Sequence, residues 1–305
     1  MLDNLSTGHR WAVKWGPLVE GDLADRRLIR RTLENYHIDA VMHFAANAAV
    51  GESMENPYKY LHDNVTNSLE LLEAMREARV GHIVFSSTCA TYGEPRKVPI
   101  SEAEPQTPVN PYGESKLYVE RALKWYERAH GFGWVVLRHF NAAGADPEGE
   151  IGEAHDPETH LIPLVIDAAL GQRPPVHVMG TDYPTPDGTA VRDYIHVEDL
   201  ADAHLKALEH LFRGGESTAL NLGVGRGYSV REVIATVERA GGRPVPARES
   251  GRRPGDPPAL VADTRLAQAM LGWSPRYVNL DAIVRTAWKW HASQVVHQAA
   301  AGAGD

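Results

Sequence analysis

Three short apolar runs most constrain what this chain can fold into. They are DAVMHFAA (39 to 46), HIVFSS (82 to 87) and WVVLRHF (134 to 140), and none alternates with polar residues. Strands buried on both faces have this pattern, and the short lengths favour strands over helices. Segments with helical spacing lie between the runs, for example Tyr58, Leu61, Val65, Leu69, Leu72 and Met75. The alternation predicts a Rossmann-like α/β fold, a doubly wound parallel sheet wrapped by helices.

The strand signals also predict how the chain divides. After about residue 144 they become sparse, and loops rich in Pro and Gly increase. We therefore predict a first α/β domain over residues 1–143 and a smaller α/β domain over 144–305, with segments around 185–200 returning to the first. Right-handed crossovers place the carboxyl ends of parallel strands at one sheet edge, where ligands of such folds bind.

Composition excludes several classes of protein. A net charge of -9 over 305 residues argues against nucleic acid or an anionic membrane as the main partner. The single cysteine, Cys89, allows no internal disulfide and no thiolate zinc cluster, which fits a reducing cytoplasm. No apolar run approaches the roughly 20 residues of a membrane span, and we expect no signal peptide before MLDNLS. The expected location is the cytoplasm.

The stretch NPYGESKLYVERALKWY carries the clearest chemistry. Pro111 stands where a helix would begin, and Tyr112 and Lys116 are four residues apart, on one helix face. A lysine ammonium beside a tyrosine favours the phenolate, so the pair can act as a base toward a sugar hydroxyl. The simpler interpretation is a Tyr-Lys pair on a solvated helix. The upstream run ends in the hydroxyls of Ser86, Ser87 and Thr88, which favours the catalytic interpretation.

The order of several longer blocks resembles one family. The blocks are HFAANAAVGES, SSTCATYGE, NPYGESK, LRHFNAAGA, GTAVRDYIHVEDLADAH and GRRPGDPP. Together they resemble the UDP-glucose 4-epimerases of the extended short-chain dehydrogenase/reductase group, over residues 2 to about 292. The resemblance implies a homodimer that binds NAD in the first domain and a UDP-sugar in the second. It implies interconversion of UDP-galactose and UDP-glucose by oxidation at C4, rotation of the 4-keto sugar and re-reduction.

The resemblance also implies roles for individual residues. Tyr112 would take the proton of the sugar 4-hydroxyl, Thr88 would hydrogen-bond the same oxygen, and Lys116 would bind the nicotinamide ribose and lower the pKa of Tyr112. The implied cofactor site contains Asp3, Asn4, Asp22, Leu23, Phe44, Ala45, Ala46, Asn64, Ser86, Tyr112, Lys116 and Phe140. The implied substrate site contains Thr88, Tyr112, Asn141, Leu161, Met179, Arg192, Arg253, Asp256 and Leu260. The arginines would hold the diphosphate, because a planar guanidinium matches phosphate oxygens.

Two positions depart from the family pattern. Ala48 stands where many relatives have a lysine near the cofactor, so one contact is expected to be absent. Leu260 occupies the position that controls access to the sugar 2-substituent, where a Tyr excludes N-acetyl sugars and a small residue admits them. Leucine is intermediate in size and leaves the use of UDP-N-acetylhexosamines open.

The beginning of the chain is a third departure. Asp3 resembles the acidic residue that follows the first strand, glycine-rich turn and helix of a dinucleotide-binding fold by roughly 20 residues. We therefore expect that strand, turn and helix to be missing from this chain. GVGRGY (223 to 228) lacks the G-x-G-x-x-G spacing and resembles a substrate-lobe loop. Either the natural protein is about 30 residues longer, or the chain is a truncated, cofactor-poor pseudo-enzyme that binds UDP-sugars.

Other activities remain as alternatives. A nucleotide-sugar 4,6-dehydratase needs an added acid and base after the strand hydroxyl, where this chain has Cys89 and Ala90. Epimerases of UDP-pentoses or UDP-uronates are closer rivals. His196, Asp199 and His204 could look like metal ligands, but their spacing suits a helix surface, so we predict no metal site.

Overall fold

The computed structural model describes residues 1–253 and 255–302. From residue 296 onward it describes the backbone only. These residues form two compact units. The first contains residues 1–96, 102–139 and 203–221, and the second contains residues 97–101, 140–202 and 222 onward. The domain boundary at residue 143 and the return around residues 185–200 stay predictions.

The first unit alternates strands and helices, as the sequence predicts. Its elements are β1 (Leu2–Asp3), β2 (Val19–Glu20), α1 (Arg26–Asn35), β3 (Ala40–His43), α2 (Val50–Glu55), α3 (Pro57–Tyr60), α4 (Asn67–Glu77), β4 (His82–Thr88), α5 (Pro111–His130), β5 (Gly133–His139) and β9 (Thr218–Leu222). A helix, α7 (Val197–Phe212), leads into it from the second unit. β3, β4 and β5 pair in parallel in a sheet of order β3-β4-β5-β9, which confirms the predicted Rossmann-like parallel fold.

The strand β3 departs from the predicted burial. β4 and β5 are almost entirely buried, but residues 40–42 of β3 are only half-buried. Among the described residues β3 pairs only with β4, while β1 and β2 form a separate parallel pair. The apolar run correctly predicts a strand, but an unpaired strand edge prevents full burial.

The helical pattern of residues 58–75 does not form one buried stripe. Leu72 and Met75 are buried, whereas Tyr58, Leu61 and Leu69 are exposed. A π-helical segment, Leu61–Thr66, separates α3 from α4. Each turn of a π-helix contains more residues than an α-helical turn, so the segment shifts the helical position of Tyr58 relative to the buried face of α4.

In its described part, the second unit combines short strands with four helices of its own. Its elements are β6 (Asn141–Ala143), α6 (Leu161–Ala169), β7 (Val176–Met179), β8 (Val191–His196), β10 (Gly227–Ser229), α8 (Val230–Gly241), β11 (Ala247–Ser250), β12 (Ala259–Leu260), α9 (Arg265–Leu271) and α10 (Leu280–Gly302). β8 pairs with β6 and β12 in parallel and with β10 in the antiparallel sense. β7 and β11 form a second parallel pair.

Each unit has its own hydrophobic core. In the first unit, the apolar faces of α1, α4 and α5 pack with β4 and β5 around Met75, Phe85 and Leu123. In the second, α6, α8 and α10 pack around Val165, Val237 and Ile283. Among the described residues, no helix is both long and apolar enough to span a membrane.

Candidate active site

The first turn of α5 lies close to the end of β4. The Asn110 side chain caps the helix by accepting a hydrogen bond from the Gly113 amide (2.8 Å), and Pro111 occupies the first helical position. A Cβ atom on Gly113 would lie 2.5 Å from the carbonyl oxygen of Ala90. Glycine at this position therefore allows the helix to approach the chain that leaves β4.

This approach brings Tyr112 and Thr88 together. Both side chains are buried, and the Thr88 hydroxyl lies close enough to the Tyr112 phenol to lower its pKa. The Thr88 oxygen also accepts a hydrogen bond from the Ala90 amide (3.1 Å), which leaves the hydroxyl proton for the tyrosine oxygen. Burial raises the pKa of Tyr112 to about 12, against the smaller lowering by Thr88. The predicted lowering by Lys116 is therefore not the dominant influence on Tyr112 in this structure.

Lys116 is buried one turn further along α5. Its ammonium donates to the carbonyl oxygen of Ser86 (2.9 Å) and lies 4.9 Å from the centre of the Phe85 ring. Burial lowers its pKa to about 8, and the charge of Glu120 opposes this change. The lysine therefore places a positive charge beside β4, near the first turn that carries Tyr112.

A buried ionic network continues along the same face of α5. Glu120, four residues after Lys116, accepts hydrogen bonds from Arg138 on β5 (2.6 Å) and from the hydroxyl of Ser87 on β4 (2.6 Å). Arg138 also donates to the Tyr92 hydroxyl (2.9 Å). This network was not predicted from the sequence. Its signal was the spacing of Tyr112, Lys116 and Glu120, which repeats every four residues and places all three on one helix face.

Asn64 links the π-helical segment to α5. Its amide donates to the Ser115 hydroxyl (3.0 Å) and to the carbonyl oxygen of Asn47 (2.9 Å), while its oxygen accepts from the Asn47 amide (2.8 Å). The Ser115 hydroxyl in turn donates to the carbonyl oxygen of Tyr112 (2.7 Å). Asn64 therefore connects the loop after β3 with the helix turn that holds Tyr112. π-helical segments frequently occur at functional sites.

The other cofactor residues predicted in the first unit follow its strands. Asn4, directly after β1, donates to the carboxylate of Asp22 (2.7 Å), and the Asp3 carboxylate accepts from the amide of Leu5 (2.7 Å). Leu23 follows Asp22 and packs against the core of the unit. After β3, the residues 44–46 are exposed, and the ring of Phe44 is 56% exposed. Ser86 is buried within β4.

In the second unit, two predicted substrate residues contact each other. The guanidinium of Arg192 on β8 forms a salt bridge with the carboxylate of Asp256 and also donates to the carbonyl oxygen of Val191 (2.7 Å). Leu260 on β12 is buried and lies opposite Arg192 in the strand register. Two of the predicted substrate residues, Arg192 and Leu260, therefore lie on one pair of strands, and Asp256 contacts Arg192 from the loop before β12.

The remaining predicted residues of this unit lie on separate elements. Asn141 begins β6, Leu161 begins α6, and Met179 ends β7. Phe140 is buried next to β6, and Arg253 is exposed in the loop before β12.

The glycine-rich loop 223–227 has a structural explanation. The buried carboxylate of Asp193 accepts hydrogen bonds from the amides of Val224 (2.8 Å) and Gly225 (2.9 Å). A Cβ atom on Gly223 would lie 2.5 Å from that carboxylate. The glycines therefore allow the loop to wrap around an aspartate in its own unit.

The histidines and aspartate expected on a helix surface are buried instead. His196 ends β8 and stacks on Tyr277 with ring centres 3.7 Å apart. The Asp199 carboxylate accepts hydrogen bonds from the amides of Arg276 (2.9 Å) and Tyr277 (3.0 Å). His204 is only 2% exposed. The predicted surface location is wrong, because strand pairing and capping of the 276–277 turn bury these polar groups.

Comparison with known proteins places the chain among enzymes of one family. Residues 1–223 match the model of the NAD dependent epimerase/dehydratase family. The chain is 52% identical over 297 residues to a UDP-glucose 4-epimerase of Rhizobium leguminosarum bv. trifolii, which covers 97% of this chain and 90% of the relative.

Solved structures give the same result. The crystal structure of UDP-glucose 4-epimerase from Brucella ovis in complex with NAD is 53% identical and superimposes with a TM-score of 0.92, covering 94% of this chain and 89% of that one. The UDP-Glc/GlcNAc 4-epimerase of Campylobacter jejuni is 38% identical with a TM-score of 0.82, covering 96% of this chain and 91% of that one.

Proposed function

Because this chain belongs to the NAD dependent epimerase/dehydratase family, we propose that it interconverts UDP-galactose and UDP-glucose with NAD as its cofactor. The observation that carries this proposal is the contact between Tyr112 and Thr88 at the end of β4, with Lys116 one turn away on α5. The identity of about half the residues with UDP-glucose 4-epimerases over nearly the whole chain supports the choice of substrate.

The residues of the site divide the proton chemistry between them. Tyr112 accepts the proton of the sugar 4-hydroxyl and later returns it, and Thr88 shares its hydroxyl proton with the tyrosine oxygen throughout. NAD, when bound, would supply the acceptor and donor of hydride for C4 of the sugar. Lys116 and a cationic cofactor ring oppose the increase that burial causes in the pKa of Tyr112, because positive charge near a phenol favours its phenolate.

The residues of the first unit fit two ends of the cofactor. Asp3, Asn4 and Asp22 form a cluster of carboxylate and amide groups directly after β1, and such groups can accept hydrogen bonds from ribose hydroxyls. Lys116 and Asn64 supply donors next to α5. The exposed ring of Phe44 supplies apolar surface after β3.

For the substrate, we propose that Arg192 and Arg253 bind the diphosphate. The Arg192–Asp256 salt bridge holds the guanidinium in place before the substrate arrives. Leu260, which lies opposite Arg192 in the strand register, would limit the size of the sugar 2-substituent. UDP-N-acetylhexosamines are therefore the second candidate substrates, and the similarity to the Campylobacter jejuni enzyme favours testing them first among the alternatives.

The test is to incubate the protein with NAD and UDP-galactose in D₂O and to follow the products by NMR and mass spectrometry. We expect UDP-glucose that retains hydrogen at C4, because hydride returned from the cofactor does not exchange with solvent. Deuterium at C4, or a product that has lost water, would contradict this mechanism. Binding of UDP-sugar without turnover would support the pseudo-enzyme alternative. The same assay with UDP-N-acetylgalactosamine, a UDP-pentose and a UDP-uronate measures preference among UDP-sugars.

Replacing Tyr112 tests the role of the phenol directly. We expect Tyr112→Phe to lower kcat by a factor of roughly 100 to 10,000 while leaving NAD binding intact, because it removes the acid-base group alone. Tyr126→Phe is the matched control, since Tyr126 lies on the same helix and its hydroxyl donates to Glu73 (2.7 Å). Equal losses in both variants would assign the effect to helix stability instead.

We also propose that the protein is a cytoplasmic homodimer. A shallow apolar cavity of about 330 Å³ is lined by Met54, Leu61 and Val109, and Tyr118 and Trp125 are exposed nearby in sequence on α5. Exposed apolar patches of this kind indicate an interface.

Sedimentation equilibrium measures the mass of the protein, and Trp125→Glu should shift it toward the monomer. An unchanged dimer would exclude this face, and a monomeric wild type would refute the dimer.

A further inference from the structure

Four potential metal ligands meet in the loop that precedes α6. They are Glu153, His155, Glu158 and His160, and each offers one ligand atom within 4.8 Å of all the others. The Nδ1 atom of His160 lies 2.5 Å from a Glu153 oxygen, and the Nδ1 atom of His155 lies 3.1 Å from the same oxygen. Two histidines and two glutamates therefore converge on one point within the second unit.

The donor set matches a particular class of cation. Imidazole nitrogen together with carboxylate oxygen suits zinc and its neighbours in the first transition row, whereas magnesium and calcium prefer oxygen alone. Two carboxylates also neutralise a divalent cation when both imidazoles are neutral. Ligand atoms around a tetrahedral zinc ion lie about 3.3 to 3.5 Å apart, given zinc–ligand distances of about 2.0 to 2.2 Å. The observed cluster needs only small side-chain adjustments to reach this arrangement.

The carboxylates are held in place by their surroundings. One Glu158 oxygen accepts hydrogen bonds from the amides of Thr159 (2.6 Å) and His160 (2.7 Å), so the other oxygen remains on the side of His155 (3.7 Å). The Glu153 backbone is fixed by the Trp290 indole, which donates to its carbonyl oxygen (2.8 Å). Both glutamate side chains are largely buried, at 16% and 11% exposure. Such supporting contacts are typical of the groups around metal ligands.

We propose that Glu153, His155, Glu158 and His160 bind one zinc-class divalent cation. The cation ties both ends of the segment 153–160 together immediately before Leu161, the first residue of α6. The site is independent of the proposed epimerase chemistry, because none of its four residues belongs to the catalytic, cofactor or substrate sets. Its role is to fix this loop at the beginning of α6.

Protons compete with a metal ion for the same ligand atoms. The glutamates raise the pKa of His155 to about 9 and that of His160 to about 10, so a metal-free cluster is held by charged histidines. A cluster that serves only as an ion-pair network would show the same contacts and no metal affinity. Metal titration distinguishes the two.

The experiment uses the full chain without a purification tag, freed of metal by a chelator. Titration with ZnCl₂ in a calorimeter should give one ion per chain with micromolar or tighter affinity, and CoCl₂ should produce the visible absorption of a four-coordinate site. The double variant His155→Ala/His160→Ala should lose at least about 100-fold in affinity, since the loss of supporting groups alone costs up to that factor. Millimolar MgCl₂ should not compete.

The matched control is His177→Ala, an exposed histidine of the same unit outside the cluster. It should bind zinc as the wild type does. Clearly less than one ion per chain, or equal affinity in the double variant and the control, would overturn the proposal. If the double variant does not fold, the Glu158→Gln variant takes its place in the zinc titration. The cobalt spectrum of the wild type is a second criterion, and a spectrum typical of hydrated cobalt would also overturn the proposal.

Discussion

Burial and charge compete at single residues of the active site. The same burial raises the pKa of Tyr112 and lowers that of Lys116, so each group is driven toward its neutral form. The proposed catalysis needs both groups in their charged forms, Tyr112 as the phenolate and Lys116 as the ammonium ion. The pair therefore depends on a cofactor and substrate that change the local charge when they bind.

Lys116 should reduce the stability of the folded chain near neutral pH. Its pKa is about 8 in the folded state, against 10.5 for an ordinary lysine. Below pH 8 it is charged in both states and the cost of burying the charge is fully present. Between pH 8 and 10.5 only the unfolded chain holds the proton, so the cost disappears as pH rises.

We therefore expect Lys116→Met to raise the free energy of unfolding by about 1 to 3 kcal/mol at pH 7, and to abolish epimerase activity. The lower end allows for the donor that the Ser86 carbonyl loses. Urea denaturation at pH 7 and pH 10 measures the difference, which should shrink at the higher pH. Lys124→Met, an exposed change on the same helix, is the control and should show no such dependence on pH. A less stable Lys116→Met chain at pH 7 would contradict the argument.

Sequence could predict the identity of this pair but not its environment. The four-residue spacing places Tyr112 and Lys116 on one face whatever surrounds the helix. The direction of each pKa shift depends on contacts with β4, which are distant in sequence. The roles assigned to the individual site residues stay predictions.

Among the elements, α5 is fixed by more than hydrophobic contact. The Glu120–Arg138 pair ties it to β5, and both side chains are almost fully buried. A buried pair is costly to form, but removing one partner leaves an uncompensated charge. The helix that carries Tyr112 is therefore held at a defined position on the sheet.

Substitutions of Glu120 and Arg138 test whether this pair restrains the helix. Glu120→Gln should lower the free energy of unfolding by about 3 to 5 kcal/mol, whereas Glu120→Leu combined with Arg138→Met should recover most of the loss. Glu209→Gln breaks the exposed pair with Arg213 and should cost less than about 1 kcal/mol. Denaturation by urea measures all three. A similar small cost for Glu120 and Glu209 would show that the buried pair does not restrain the helix.

Elements were predicted well where the apolar pattern was strong. The runs at 39–46, 82–87 and 134–140 contain all of β3 and most of β4 and β5. The π-helical segment was not predicted, because an irregular turn leaves the apolar spacing almost unchanged while it rotates the residues. The short strands of the second unit were also missed, since two to six residues give too little alternation to recognise.

For the whole molecule, the parallel α/β architecture follows from the sequence, but the completeness of the sheet does not. The sheet of the first unit is interrupted between the β1-β2 pair and β3. Strand pairing depends on segments that are distant in sequence. An apolar run predicts a strand but does not indicate whether one or both edges of that strand pair with a neighbour.

Hydrogen exchange should reveal this interruption. We expect amides of β3 to exchange at least about 100-fold faster than those of β5, because β5 lies between β4 and β9 while β3 has, among the residues that the structure describes, a partner on one side only. Mass spectrometry of peptides covering residues 40–43 and 133–139 provides the comparison. Equal protection would mean that the free edge of β3 is covered in solution.

The single thiol of the chain has a practical consequence. Cys89 lies directly after Thr88, is 7% exposed and influences the pKa of Tyr112. A reagent that alkylates thiols can reach it only when the end of β4 opens. The rate of labelling therefore reports how often the end of β4 opens beside the proposed active site. No second cysteine contributes to the signal.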